Sequence, residues 1–169
     1  DKGVVRPVPP RGLESRLHLV EVRTAEEMAA AALERLPQAT GVVATAAVMD
    51  YAVASPSASK LKRASAAIAL DLVPSIDVLG SLKQAANGQW FLGFAAETDN
   101  VEEHGAGKLK ARGLDFLFAN AVSKLGAAGQ TGFAVNTNAG VLLSANGERH
   151  ELGLGAKADI ARQIWDRIA

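Results

Sequence analysis

Two short stretches hold the residues most able to do chemistry: Ala46-Ala47-Val48-Met49-Asp50-Tyr51, and Lys60-Leu61-Lys62-Arg63 nine residues further on. The apolar run Gly41–Ala47 reads as a buried strand, and the end of such a strand is where an open α/β sheet presents ligands. Small side chains at 44–47 let a ligand approach the backbone. Asp50 adds a carboxylate able to hold Mg²⁺, and a Ser/Ala/Pro segment then delivers three cations on a loop spanning 52–65. A metal-binding acid and a mobile lysine that reaches phosphates suit nucleotide chemistry. The same residues also fit a strand end, a solvated loop and a surface charge cluster.

Other candidates are less specific. Gly105-Ala106-Gly107-Lys108 and Gly153-Leu154-Gly155-Ala156-Lys157 lack the four-residue spacer and the Ser/Thr of a phosphate-binding P-loop. The first lies within an expected helix and the second reads as a helix start. No G-x-G-x-x-G follows a strand, which disfavours a Rossmann-type oxidoreductase. His18, His104 and His150 have no metal-ligand spacing; His18 is expected on a strand face, the others in solvent. Glu97, at a strand end, can bind metal or ribose or cap the next helix. Lys108 and Arg112 are four apart on one helix and can converge on one anion or face solvent. Asn120 follows another strand, at the edge where ligands bind.

The elements that must position these residues follow from periodicity. With 169 residues the chain is read as one domain, able to bury roughly 70% of its unfolded surface. Residues 1–16, rich in proline and charge, read as an irregular arm. Strands are expected over Leu17–Val22, Gly41–Ala47, Ala67–Val73, Trp90–Ala96, Asp115–Ala119 and Val141–Leu143. Thr24 and Glu27 form a capping box for a helix running to about Leu36, before Pro37. Ser75 is expected to cap a helix over Ile76–Gln84, Gly113 to stop a helix over Val101–Arg112, and residues 120–136 to form a loop. An amphipathic helix over Lys157–Ile168 closes the chain. This alternation predicts an α/β, Rossmann-like three-layer domain with a mostly parallel sheet.

Composition narrows the classes. Eighteen cations balance eighteen acids, against the basic excess of a nucleic-acid binder. Cysteine is absent, so neither disulfides nor thiolate metal sites exist. No apolar run nears the ~20 residues of a membrane span, and no signal peptide is recognised. A cytoplasmic protein with neither membrane nor nucleic-acid partners is expected.

Taken in order, the motifs resemble the bacterial phosphopantothenate–cysteine ligase family. Its AAVxDY, KxKK, T-x-DIL-like, GFAAET and strand-end AN elements are matched by Ala46–Tyr51, Lys60–Arg63, Ser75–Leu79, Gly93–Thr98 and Ala119-Asn120. A helix-borne Lys108, Phe133–Asn138 and the helix start Thr24–Met28 match as well, so the resemblance runs from about residue 17 to the end. Arg63 and Arg112 replace lysines with charge kept. The family's opening strand, glycine turn and SSGKMG-like segment have no match, nor does the flavin-dependent decarboxylase usually fused upstream. The resemblance therefore implies the later portion of the ligase domain, and activity of that portion alone is not implied.

The resemblance implies joining of 4′-phosphopantothenate to L-cysteine with CTP, through an acyl-cytidylate. Lys60 would be catalytic and Asp50 the Mg²⁺ ligand. Ala44, Thr45, Ala46, Asp50, Lys60, Ile76, Asp77, Val78, Leu79, Phe94, Lys108 and Arg112 would bind the nucleotide. Ala46, Ala47 and Asn120 would border phosphopantothenate. The strand region Ala66–Val73, with one face unburied, would form a homodimer contact beside the lysine loop. The alternatives are a non-catalytic nucleotide-binding or dimerisation module of the same family, or a Rossmann-type oxidoreductase.

Overall fold

The computed structural model describes residues 7–9, 11–63, 67–97, 99–121 and 135–168. Ala66, Thr98, Phe133 and the greater part of the expected 120–136 loop lie outside the described residues, as do 1–6 and 10 of the arm.

A five-stranded sheet is ordered β1 (Gly41–Ala44), β4 (Trp90–Glu97), β5 (Phe116–Ala121), β6 (Thr137–Ser144), β7 (Arg149–Ala156). β1, β4 and β5 run parallel, β6 runs against them, and β7 returns to their direction. β2 (Tyr51–Val53) and β3 (Leu72–Pro74) form a separate antiparallel ribbon. The helices are α1 (Ala25–Arg35), α2 (Val78–Ala85), α3 (Val101–Arg112) and α4 (Lys157–Ile168).

Residues from α1, α2 and α3 cover one face of the sheet, where Phe91, Ala95, Leu117 and Ala119 meet Leu36, Leu82 and Leu109. On the other face, Leu92, Phe118, Leu142 and Leu152 meet Ile160 and Ile164 of α4. The result is the expected three-layer α/β, Rossmann-like fold. Phe91 and Phe118 are fully buried, each contributing about 1.5–3 kcal/mol of transfer free energy.

Local chemistry sets the element ends. The Thr24 hydroxyl accepts from the Glu27 amide at 3.1 Å, and the Glu27 carboxylate reaches back to the Arg23 amide at 2.6 Å. The reciprocal bond thus lands one residue before the cap. Gly113 ends α3 at φ 59°, where side chains are disfavoured. A Cβ at Gly105 would lie 2.8 Å from the Ala119 Cβ, so this glycine lets α3 sit directly on β5. The Gly105–Lys108 run is helix packing, not a phosphate loop.

Several expectations are corrected. Leu17–Val22 is not a strand; Leu19 and Val20 are half exposed, because alternation holds a strand only where an edge pairs with it. His18 accordingly has no strand face to sit on. Over Ala67–Val73 only the last two residues pair, within β3, opposite Tyr51–Val53. β1 ends at Ala44 rather than Ala47. Asp77, not Ser75, caps α2, its carboxylate accepting from the Gly80 amide at 2.9 Å. Gly153–Ala156 is strand, within β7, which pairs with a β6 extending to Thr137 rather than the expected Val141. No helix among the described residues is long and apolar enough to cross a membrane.

Candidate functional site

At the carboxyl ends of β1 and β4 lies a cleft of about 710 Å³. It exists because the two strands part there. β1 pairs with β4 only as far as Ala44↔Gly93, while β4 continues along β5 to Glu97↔Ala121. Thr45–Asp50 therefore leaves the sheet and forms one wall, with small side chains exposing its backbone. The ribbon ties this wall to the next. The Ser75 amide donates to the Asp50 carbonyl at 2.8 Å, and Tyr51 pairs with Pro74. Ser75–Leu79, leading into α2, forms the second wall. Phe94, stacked edge-on against Phe118 at 5.6 Å between centroids, leaves part of its ring open to the cleft.

Two cations on α3, Lys108 and Arg112, face this space one turn apart. Both are tethered. Arg112 pairs with Asp77, whose carboxyl is held below the usual range first by the Gly80 amide, then by Arg112, with partial burial opposing. Lys108 Nζ lies 2.6 Å from Glu97 Oε1, at the end of β4. Glu97 neither occupies the N-cap position of α3, which is Asn100 with no side-chain capping bond, nor lines the cleft. His104, expected in solvent, is half exposed and reaches Glu97 Oε2 at 3.5 Å.

Of the residues expected from sequence, the cleft brings together Ala44, Thr45, Ala46, Ala47, Asp50, Ile76, Asp77, Val78, Leu79, Phe94, Lys108 and Arg112. Lys60 is exposed in the segment between β2 and β3, outside the lining. Asn120 is buried at the end of β5, between Ala96 and Gly140, also outside it. Sequence reasoning missed the apolar floor, formed by Met28, Ala32, Leu82, Leu114 and Leu117. The i,i+4 spacing of Met28 and Ala32 was the available signal. The Glu97–Lys108 tether left no sequence signal.

The lining carries two carboxylates, Asp50 and Asp77, against two cations, Lys108 and Arg112. The Asp50 carboxylate is exposed and has no ion-pair partner among the described residues. No group of three or more His, Cys, Asp or Glu side chains able to hold a metal occurs among them. Asp50 and Asp77 are a donor set of the kind that suits Mg²⁺, which takes one or two carboxylates and completes its shell with water and phosphate oxygens.

Residues 4–169 match the family model for the DNA/pantothenate metabolism flavoprotein C-terminal domain. The coenzyme A biosynthesis bifunctional protein CoaBC of Bacillus subtilis (strain 168) is 32% identical over 160 residues, covering 95% of this chain and 38% of the relative. Its counterpart in Mycolicibacterium smegmatis is 36% identical over 173 residues, covering 96% of this chain and 40% of the relative. The chain thus spans about two fifths of the curated relatives it matches. Among solved structures, the C-terminal domain of a coenzyme A biosynthesis bifunctional protein CoaBC superposes with a TM-score of 0.68 at 28% identity, covering 88% of this chain and 63% of that one.

Proposed function

Because the chain belongs to the family of DNA/pantothenate metabolism flavoprotein C-terminal domains, we propose that it is the nucleotide-binding portion of a CTP-dependent phosphopantothenate–cysteine ligase of coenzyme A biosynthesis. One observation supports this reading: apart from Lys60, the residues that the resemblance assigned to nucleotide, far apart in sequence, line one cleft at the carboxyl ends of β1 and β4.

The chemistry follows from charge. A carboxylate repels an amine nucleophile and must be activated. One oxygen of the 4′-phosphopantothenate carboxylate attacks the α-phosphorus of CTP, forming a C–O–P linkage and expelling pyrophosphate. The cysteine amine then attacks the acyl carbon, and CMP departs as the amide forms. The protein's task is to align groups and offset phosphate charge.

Exposed backbone at Ala44–Ala46, together with Ile76–Leu79 and the Phe94 ring, suits a pyrimidine that offers both donor and acceptor atoms. Lys108 and Arg112 face the phosphates. With two acids and two cations the lining is neutral, so a triphosphate needs further positive charge. Asp50 would hold Mg²⁺, which supplies charge neutralisation across the phosphate oxygens when bound. Lys60 would come from the segment between β2 and β3, which closes over the triphosphate to stabilise charge as pyrophosphate leaves. Ala46, Ala47 and Asn120 border the phosphopantothenate.

The exposed ribbon residues Leu72 and Val73, with Ile68 and Leu70 before them, form the contact of a homodimer, and a flavin-dependent decarboxylase is the associated activity. The setting is cytoplasmic. A monomer by light scattering at micromolar concentration would contradict the dimer.

Calorimetric titration with CTP, ATP and UTP in Mg²⁺, with pyrophosphate release followed in parallel, tests the assignment. Selective binding of CTP is the expected outcome; binding of none of the three refutes it. The position of Lys60 outside the cleft favours one second reading, a non-catalytic nucleotide-binding module, which predicts stabilisation by CTP without pyrophosphate release.

A further inference from the structure

Lys108 has a long, half-exposed side chain that solvent would ordinarily let sample many rotamers. It is held instead by Glu97, whose side chain is only 11% exposed and sits on the last residue of β4, in register with Ala121 of β5. A carboxylate on the central sheet is a fixed point, and one ammonium hydrogen spent on it at 2.6 Å leaves two for a ligand. The other Glu97 oxygen faces His104 Nδ1, one turn earlier on α3. Asn100 makes this possible. Its left-handed backbone, φ 45° and ψ 43°, turns the chain within three residues of Glu97, so that α3 lies back over the strand end.

We propose that Glu97 is a positioning residue for nucleotide binding: it lies outside the cleft, touches no ligand, and holds the Lys108 ammonium toward the phosphates. This deepens the nucleotide assignment made above and rests on it. Ordering Lys108 before the ligand arrives lowers the entropy lost on binding, by an amount typical of one immobilised long side chain. The carboxylate does not exhaust the lysine, because an ammonium group carries three donors and only one is spent on Glu97.

The test is a double-mutant cycle on the purified chain, with Mg²⁺–CTP affinity read by calorimetry and the fold checked by thermal denaturation. Glu97→Gln should weaken CTP binding about fivefold to tenfold. Lys108→Met should weaken it more. The double variant should bind no more weakly than Lys108→Met alone, since the glutamate acts through the lysine. Glu97→Asp, with its shorter reach, should recover only part of the loss. Additive losses, unchanged affinity or tighter binding in Glu97→Gln would overturn the positioning role while leaving the nucleotide assignment standing. Failure of the wild-type chain to bind CTP would overturn both.

Discussion

The two regions that meet at the cleft are built to different standards. The sheet half, β1, β4 and β5 under α1–α3, presents its ligand-facing residues from a core in which Phe91 and Ala119 have no solvent exposure. The ribbon half, β2 and β3, consists of two three-residue strands whose large side chains, Tyr51, Leu72 and Val73 among them, are largely exposed. A two-stranded ribbon is marginal by itself. Cleft residues such as Ala44, Phe94 and Lys108 thus stand on rigid elements, whereas Asp50 stands just before β2 and Lys60 on the segment between β2 and β3. Under the proposed function, recognition needs fixed geometry, and offsetting charge on a departing pyrophosphate needs a group that can arrive and leave.

Substitutions should separate the two halves. Phe91→Ala is expected to cost about 3–5 kcal/mol in chemical denaturation, since it opens a cavity beneath α2 and α3. Lys60→Gln should leave the denaturation midpoint unchanged and CTP affinity within about threefold, yet slow pyrophosphate release by about 10²-fold, as expected for one lost charge-stabilising donor. Intact turnover in that variant would remove Lys60 from the chemistry. Thr24→Ala should cost about 1 kcal/mol, because the Glu27 amide loses its capping acceptor.

Asp77, which caps α2 and pairs with Arg112 of α3, makes a finer probe. Its folded-state pKa lies below the value near 3.8 of the free side chain, chiefly through the Gly80 amide and then through Arg112. Its contribution is therefore full above about pH 4 and lost as pH falls through the depressed value. Asp77→Asn keeps a capping oxygen but removes the charge. Wild type should lead it by less than about 1 kcal/mol at neutral pH, the pair being half exposed, and the two curves should converge on acidification. Tyr51→Ala, on the ribbon, should change stability by no more than about 0.5 kcal/mol. A cost approaching that of Phe91→Ala would erase the distinction between the regions.

What could be read from the chain divides along the same line. Buried runs such as Trp90–Ala96 and Asp115–Ala119, and helices with strong stops such as Gly113, are written in local patterns. The structure follows those patterns. Leu17–Val22 alternates equally well and is not strand, because a ladder depends on a neighbour that no local pattern reveals. β7 was hidden by its glycines: Gly153 and Gly155 mimic a helix start, and pairing with β6 on either side of an irregularity in register makes this stretch strand. At the site, residue types and spacing pointed to the Ala44–Asp50 wall and to the Lys108–Arg112 pair, whereas the Ser75–Leu79 wall came only from the family resemblance. The apolar floor and the Glu97 tether depend on helix docking, a tertiary event. Ser75 and Asp77 are both capping residue types two positions apart, and spacing alone did not separate them.

The Trp90 and Trp165 rings meet edge to face with centroids 6.2 Å apart, and the chain has no other tryptophan. One indole belongs to β4 and the other to α4, so their excitonic coupling reports on a single junction. Near-ultraviolet circular dichroism can therefore follow release of the terminal helix from the sheet, separately from events at the opposite face where the cleft lies.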